Sequence, residues 1–399
     1  MSTDAPSQRR IIFFIILVMM LTAFAIDEYA ASLPHMARAL HTGGGNMQLS
    51  ITVFLLVLAV FQVIFGALWN YQGRRRLLLA CIGIFLAGTI ICIFSKSYQY
   101  LLLGRIIQGM GCALPNIYGP TVIGEAVIEE DIPKVTSYFV LGYSLIPIIS
   151  PFIGGYLQEY FNWQANFWFL FAVGLAIFIP SMLWLPETLK KESIKPFSFQ
   201  DMLHQYKEVL CNVEFVTACV SSFFIWAPVI VFSVIAPFLL QNTLGVSAST
   251  YGELALVVGA GFFIGNMLNA FVVKHNYMSQ KMIATIAFIL WIAMAALQLG
   301  IMLSGELSIR IVIWPVFMMM VGMSFAFPVV YAIAISATEL PGVAGSLINT
   351  IILLLVALLT AIISAYHIHS GTIFSAIFLG CALAAVVTYI LSNAYTRHK

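Results

Sequence analysis

The sequence predicts an all-α polytopic membrane protein, with twelve transmembrane helices arranged as two six-helix bundles. Three observations lead there. Of 399 residues, 61% are apolar and only 9% are charged, whereas a soluble domain carries about 25% charged residues. Apolar runs of membrane-spanning length recur along the whole chain, each able to cross a hydrocarbon core about 30 Å thick. One long connection then divides those runs into two equal sets.

The runs lie at 11–33, 47–69, 77–95, 99–122, 135–157, 165–185, 213–240, 251–273, 281–303, 308–330, 343–366 and 371–393. Connections are short except for Pro186 to Asn212, which follows the sixth run. The chain therefore divides into a first bundle at 1–185, a cytoplasmic linker at 186–212 and a second bundle at 213–399. A 6+6 layout predicts parallel halves related by an axis along the membrane normal, a transporter architecture. No repeat is visible in the residues themselves.

The first run carries two carboxylates, Asp27 and Glu28. An acid inside a bilayer costs about 2.5 to 3.5 kcal/mol or more, so these positions predict an ion or substrate site, with Asp27 the first candidate and Glu28 the second. Adjacent helical residues point about 100° apart, so at most one faces the bundle axis. A displaced helix that leaves both acids at the outer headgroups, beside Pro34 and His35, is the alternative. The run is too long for a cleaved signal peptide and lacks a small-residue cleavage pattern, so it reads as a retained span.

The fourth run reads Gly104-Arg105-Ile106-Ile107-Gln108-Gly109-Met110-Gly111-Cys112. Arg105 has no acid one turn away in its own span. It must therefore face water or an acid on another helix, unless it caps carbonyls between helices. Gln108, Gly109, Cys112, Asn116 and Gly119 share its stripe, a small and polar face suited to a cavity wall. The fifth run ends Pro147-Ile148-Ile149-Ser150-Pro151-Phe152-Ile153-Gly154-Gly155. Proline loosens a helix and glycine admits a close neighbour, so this span suits either a gate or tight packing.

Lysine and arginine set the orientation. With the N-terminus inside, the inner segments hold fourteen, including Arg9, Arg10, Arg74, Arg75 and Arg76, and the outer loops hold only Arg38, Lys96 and Arg310. Both termini are thus expected to be cytoplasmic, in the inner membrane of the cell. The acidic inner segment around Glu125, Glu129, Glu130 and Asp131 reads as a solvated loop or as a salt contact to Arg74–Arg76. In the linker, Phe199, Leu203, Tyr206 and Leu210 recur at helical spacing behind Ser198, a residue able to cap the helix. That predicts a surface helix at Ser198–Leu210, lying on the inner membrane face and tethering the halves.

Several classes are excluded. A net charge of +2 argues against nucleic acid. Six cysteines show no paired metal spacing, five of them inside apolar runs and Cys211 at the edge of one, so neither a metal nor a cofactor is expected. No Gly-Lys dipeptide is present, hence no Walker A loop. His367 and His369 stand two apart on different helical faces, and no nucleophile elbow occurs, so an enzyme is not expected.

These stretches together resemble the major facilitator superfamily. The turn from Gly66 to Arg76 is similar to its G-x-x-x-D-R-x-G-R-R/K signature, with Gly66, Gly73 and Arg74 in place. Arg105, Gln108, Gly109 and Gly111 resemble its R-x-x-Q-G-x-G motif, and Pro151, Gly154 and Gly155 its G-P-x-x-G-G antiporter motif. The nearest likeness is to twelve-span drug:proton antiporters of the bicyclomycin-resistance (Bcr/CflA) group. It rests on Ala25-Ile26-Asp27, Leu33-Pro34, Leu185-Pro186-Glu187-Thr188-Leu189, Ala236-Pro237-Phe238, Tyr251-Gly252 and Pro341-Gly342-Val343-Ala344-Gly345-Ser346. Two positions depart. Asn70 stands where the family has the turn acid, which helps latch the halves in the outward-facing state, and Ser150 replaces the first glycine of the antiporter motif.

The resemblance implies proton-driven export of amphipathic small organic molecules by a monomer, with the substrate, protons and the lipid bilayer as its partners. Asp27 or Glu28 would exchange the proton, with Arg105 and Gln108 modulating it. The second half has no mid-span charge, so coupling is expected in the first half. Cys112, Asn116, Phe224, Trp226, Asn266, Asn269 and Asn349 would line the substrate cavity. The rivals are a transporter dedicated to one metabolite or siderophore, in either direction, and a non-transporting membrane sensor.

Overall fold

The computed structural model describes residues 5–68, 73–126, 132–185, 187, 199–366 and 370–396. Among these the regular elements are all helical. They are α1 (Ala5–Asp27), a 3₁₀ segment (Glu28–Ser32), α2 (Leu33–Ala39), α3 (Gly44–Leu68), α4 (Arg74–Ile93), α5 (Tyr98–Ala126), α6 (Ile132–Tyr160), α7 (Trp163–Trp184), α8 (Phe199–Leu210), α9 (Val213–Phe238), a π turn (Leu239–Thr243), α10 (Ala248–Lys274), α11 (Gln280–Leu303), α12 (Ile309–Ser336), α13 (Pro341–Ala365) and α14 (Gly371–Thr396). Ten helical stretches among the described residues are long and apolar enough to cross a membrane. The helices α5 and α6 have 29 residues each but are not among those ten.

The first span departs from the continuous helix expected over 11–33. It breaks between Asp27 and Glu28, tightens into one 3₁₀ segment and resumes as α2. Pro34 supplies the reason. It has no N–H for the Ala30 carbonyl, and that carbonyl accepts instead from Leu33, three residues on. The first span of the second half is interrupted at the same end: α9 contains Pro237 and passes into the π turn at Leu239. Interrupted helices at matching positions in two halves are a recurrent mark of transporter sites.

Two compact units are present, Met1–Phe197 and Ser198–Lys399. Within the first, α5 packs on α4, α3 and α1, α7 packs on α4, and α6 packs on α1. Within the second, α12 packs on α11, α10 and α9, α14 packs on α11, and α13 packs on α9. These pairings match one for one, although α9 packs on α14 far more extensively than α1 on α7, and the match exposes an internal repeat that the sequence hides. The loops are punctuated by side-chain caps. Asn162 begins α7, Asn212 α9, Ser247 α10, Ser279 α11 and Ser308 α12, each accepting a backbone N–H of the first turn.

The linker helix α8 belongs to the second unit and packs on α13 and α9. Val209 is fully buried there, while Leu203 and Leu210 of the expected apolar face stay exposed. Ser198, the expected cap, lies outside the described residues. So do Glu129, Glu130 and Asp131 of the acidic segment. Five cysteines are buried and Cys211 is exposed.

Candidate functional site

The site is assembled where the break in the first span meets α4, α5, α6 and α7. Backbone proximity comes first. A methyl group on Gly88 of α4 would lie 2.6 Å from the Gln108 nitrogen on α5, so those helices touch main chain to main chain. The seam brings Thr89 and Cys92 against Arg105 and Gln108.

Arg105 is fully buried. Its Nη1 donates to Gln108 Oε1 at 2.8 Å and its Nη2 to the Ala25 carbonyl at 3.1 Å. Its guanidinium lies between two rings, 4.4 Å from the centroid of Tyr29 and 4.1 Å from that of Phe54. A desolvated cation over an aromatic face gains about 2 kcal/mol, and here there are two faces. Gln108 Nε2 in turn donates to Thr89 Oγ1 at 2.8 Å, and the Thr89 hydroxyl donates to the Phe85 carbonyl at 2.7 Å. The Tyr29 hydroxyl shares a 3.2 Å hydrogen bond with Ser50. Rings, an amide and a carbonyl thus hold Arg105, and its charge acts on Glu28.

Both acids are buried, Glu28 the more completely. Asp27 ends α1 with 6% of its surface exposed and a polar partner of its own. Glu28 is fully buried, electrostatically coupled to Arg105, and its Oε2 has no hydrogen-bond partner. Its Oε1 faces the side-chain amide of Asn166 on α7. With the amide nitrogen turned toward acceptors, Asn166 donates to Glu28 Oε1 at 2.9 Å and to the Gly154 carbonyl at 3.2 Å, and its oxygen accepts from the Ser32 hydroxyl. Gly154 of α6 stands against the backbone of Glu28 so closely that an added methyl would fall on the Glu28 carbonyl oxygen.

The remaining stripe on α5 is largely packed. A methyl on Gly109 would lie 2.7 Å from the Phe54 carbonyl. Cys112 is fully buried, and its carbonyl accepts from Thr22 at 3.3 Å. Only Asn116 is half-exposed, and its amide donates to Gln62 at 2.7 Å. The face expected to line a cavity is therefore a helix seam over most of its length.

The motif residues fall in two places. Gly73, with φ of 84°, leads into α4, where the buried Arg74 begins the helix. Gly66 is half-buried near Ile117, and Asn70 lies outside the described residues. Ser150 is buried with its hydroxyl unpartnered, and Pro151, Gly154 and Gly155 are buried along α6.

In the second unit, Trp226 stands 5.8 Å from the Phe262 ring and 5.6 Å from Phe327, which continues to Tyr331 at 5.6 Å. Asn349 hydrogen-bonds the Tyr331 side chain. Phe224 turns to Phe223 at 4.8 Å instead. Asn266 is half-buried, while Asn269 is buried with its Oδ1 lacking a partner.

The repeat permits a direct comparison of the halves. Gly111 packs on Cys81 and Phe85 as Gly322 packs on Ala287 and Trp291. Cys92 donates to the Leu101 carbonyl as Gln298 donates to that of Val312. These pairings fix one register, in which Arg105, Gln108 and Thr89 correspond to Val316, Met319 and Ala295. All three counterparts are apolar and fully buried. The second unit fills with hydrocarbon the volume that the first fills with charge.

Sequence reasoning named Glu28, Arg105, Gln108 and Gly154 but missed Asn166, Ser32, Thr89, Tyr29 and Phe54. Asn166 sits at the start of an apolar run behind an ordinary cap residue, and no spacing within α7 marks it.

The family model described as Major Facilitator Superfamily matches residues 12–360. An uncharacterized transporter of Rickettsia felis is 25% identical over 357 residues, covering 86% of each chain. Multidrug resistance protein D of Escherichia coli strain K12 is 24% identical over 259 residues, 64% of this chain and 65% of that protein. In fold, the chain resembles the crystal structure of a D-xylose–proton symporter, with a TM-score of 0.77 at 14% identity over 95% of this chain and 97% of the other.

Proposed function

The chain belongs to the major facilitator superfamily, and from that premise we infer that it is a proton-coupled secondary transporter exporting amphipathic small organic molecules. It does so by alternating access, the Glu28 site opening to one side of the membrane and then to the other. Twelve spans complete this reading, α5 and α6 crossing alongside the ten apolar stretches, with both termini cytoplasmic.

One observation carries it: Glu28, fully buried at the break of the first span, with one carboxylate oxygen unpartnered beside a caged Arg105. A buried acid gains no packing that an apolar residue would not supply, and such residues inside a membrane mark ion or substrate pathways. Glu28 is the proton carrier in this reading, and Asp27, buried slightly less completely, serves the approach to it. Arg105, held between two rings and hydrogen-bonded to Gln108 and Ala25, acts in this reading as a fixed charge against which Glu28 gains and loses its proton. The apolar counterparts of Arg105, Gln108 and Thr89 support placing coupling in the first half alone. Within the second unit, the ring chain from Trp226 to Tyr331, with Asn349, is suited to an aromatic or amphipathic substrate. Similarity to a multidrug resistance protein supports export, and one proton driven by 100 mV supplies about 2.3 kcal/mol, enough for a gradient on the order of 50-fold.

Purified protein in sealed vesicles carrying an internal pH dye tests the reading. A lipophilic dye cation moving against protons, with the pH of its starting compartment changing accordingly, is the expected result. Fluxes of dye and protons in the same direction would make the protein an importer, and no dye-dependent proton movement would remove the coupling altogether.

A further inference from the structure

The first span and α6 share a seam that carries polar atoms without partners. α6 packs along the 3₁₀ segment. Its Gly154 stands against the Glu28 carbonyl, and its Glu159 acts electrostatically on His35, further along the first span. The two stretches therefore run side by side in the same direction, from Glu28 toward His35. One turn past Gly154, on the same face of α6, is Gln158. Glu28 Oε2, Gln158 Oε1 and His35 Nδ1 are all buried without a hydrogen-bond partner.

These atoms cannot satisfy one another by themselves. A carboxylate oxygen and an amide oxygen only accept, and a buried acceptor left unpaired costs about 1 to 3 kcal/mol. Water donates through two hydrogens, and buried water is held by about two to four polar partners, so it fits a seam that presents acceptors at successive levels. The other oxygen of Glu28 faces Asn166, which leaves Oε2 as the one turned to such a file. His35 stands differently from the other two. Its ring is only half-buried, while Nδ1 is buried. An imidazole takes a proton on one nitrogen and gives one from the other, so this ring joins the surface to the seam.

We propose that water held in this seam by Gln158 carries protons between Glu28 and His35, and that His35 exchanges them with bulk solvent. The step changes only N–H and O–H bonds. A proton from bulk water binds the free ring nitrogen of His35, and the imidazolium releases the proton on Nδ1 to the seam water. That water gives one of its own to the Glu28 carboxylate, and rotation of the ring restores the starting tautomer. With both termini cytoplasmic, His35 lies on the outer side, where a proton enters to drive export. The charged groups acting on His35 are Arg38, one turn along α2, and Glu159 on α6; α3, which packs on α2, has no titratable residue. Glu28 feels Arg105 on α5, with Asp27 and Tyr29 beside it in the chain and Cys92 on α4 near Arg105.

This inference rests on Glu28 being the proton carrier, and the test separates the two claims. A residue on a proton path changes how fast the acid is protonated, not how far. Full-length protein in lipid nanodiscs receives protons released by a light flash. Time-resolved infrared spectroscopy then follows the Glu28 carboxyl, read as the band absent in Glu28→Gln. His35→Ala and Gln158→Met are each expected to slow the rise of that band severalfold and to leave its equilibrium titration in place. Added imidazole should restore the rate in His35→Ala but not in Gln158→Met, a difference that a merely structural role for His35 would not produce. If His35→Ala fails to assemble, His35→Gln, which has no pair of ring nitrogens, takes its place in the rate comparison. An unchanged rate in the His35 variant or in Gln158→Met overturns the path while the carrier assignment survives. Slowing in His35→Ala that imidazole leaves untouched overturns the path as well. Absence of any Glu28 titration overturns the carrier assignment itself.

Discussion

Glu187 caps α4 from across the first unit. Its Oε1 accepts the backbone N–H of Arg74 at 2.9 Å and its Oε2 that of Arg75 at 3.2 Å. The Arg75 guanidinium returns the contact by donating to the Met182 carbonyl at 2.5 Å, at the end of α7. The resemblance to the superfamily placed an acid at position 70 in this turn, where the chain has asparagine. The acid that meets the first turn of α4 comes instead from the sequence after α7. A carboxylate at a helix N-terminus satisfies orphan donors and opposes the helix dipole.

Glu187→Ala should therefore loosen the start of α4 by about 1 kcal/mol, a typical cap loss. That is roughly a fivefold rise in hydrogen exchange over the first turn. Exchange unchanged there would show that the contact contributes nothing in solution.

The two acids should separate under substitution. Glu28→Gln is expected to abolish coupled dye efflux at every pH, whereas Asp27→Asn keeps coupling with a reduced rate. Vesicle flux of both variants decides it, and the reverse pattern would hand the proton to Asp27.

Arg105 is recognised by its plane. Lysine keeps the charge but cannot span Gln108, the Ala25 carbonyl and two ring faces together. Arg105→Lys is expected to lose transport and to lower thermal stability nearly as much as Arg105→Met. A lysine variant with normal flux would reduce Arg105 to a bare charge.

Tyr206 fastens α8 to the start of α13. Burial pushes its hydroxyl above the ordinary tyrosine value, and its hydrogen bond with Ser346 partly offsets that. The sign follows from the neutral form being preferred in the fold. Docking of α8 is intact below the ordinary tyrosine pKa of about 10 and weakens as pH rises past it. Protease access to the linker should increase on that alkaline side, and Tyr206→Phe, which cannot ionise, should abolish the increase.

Much of the fold was legible beforehand. Hydrocarbon length alone gives most of the helices, because a bilayer admits little else. The linker helix was legible from its spacing, yet Val209 is the residue it buries while Leu203 and Leu210 stay exposed. The break at Glu28 was not anticipated, although Pro34 stood in view, because apolarity continues straight through it. The repeat was invisible because packing order can be kept while every side chain at a crossing changes, as Arg105 to Val316 shows.

The residues alone determined that this chain lives in a membrane, that its few intramembrane charges lie in the first half, and which superfamily it resembles. Composition and run length carry that information locally. Only tertiary structure decided that Glu28 is buried more completely than Asp27, that two rings hold Arg105, and that Asn166 joins the acid to Gly154. Those relations link positions 28, 54, 105, 154 and 166, which come together only when helices pack, and hydrogen-bond partners distant in sequence leave no periodic trace along the chain.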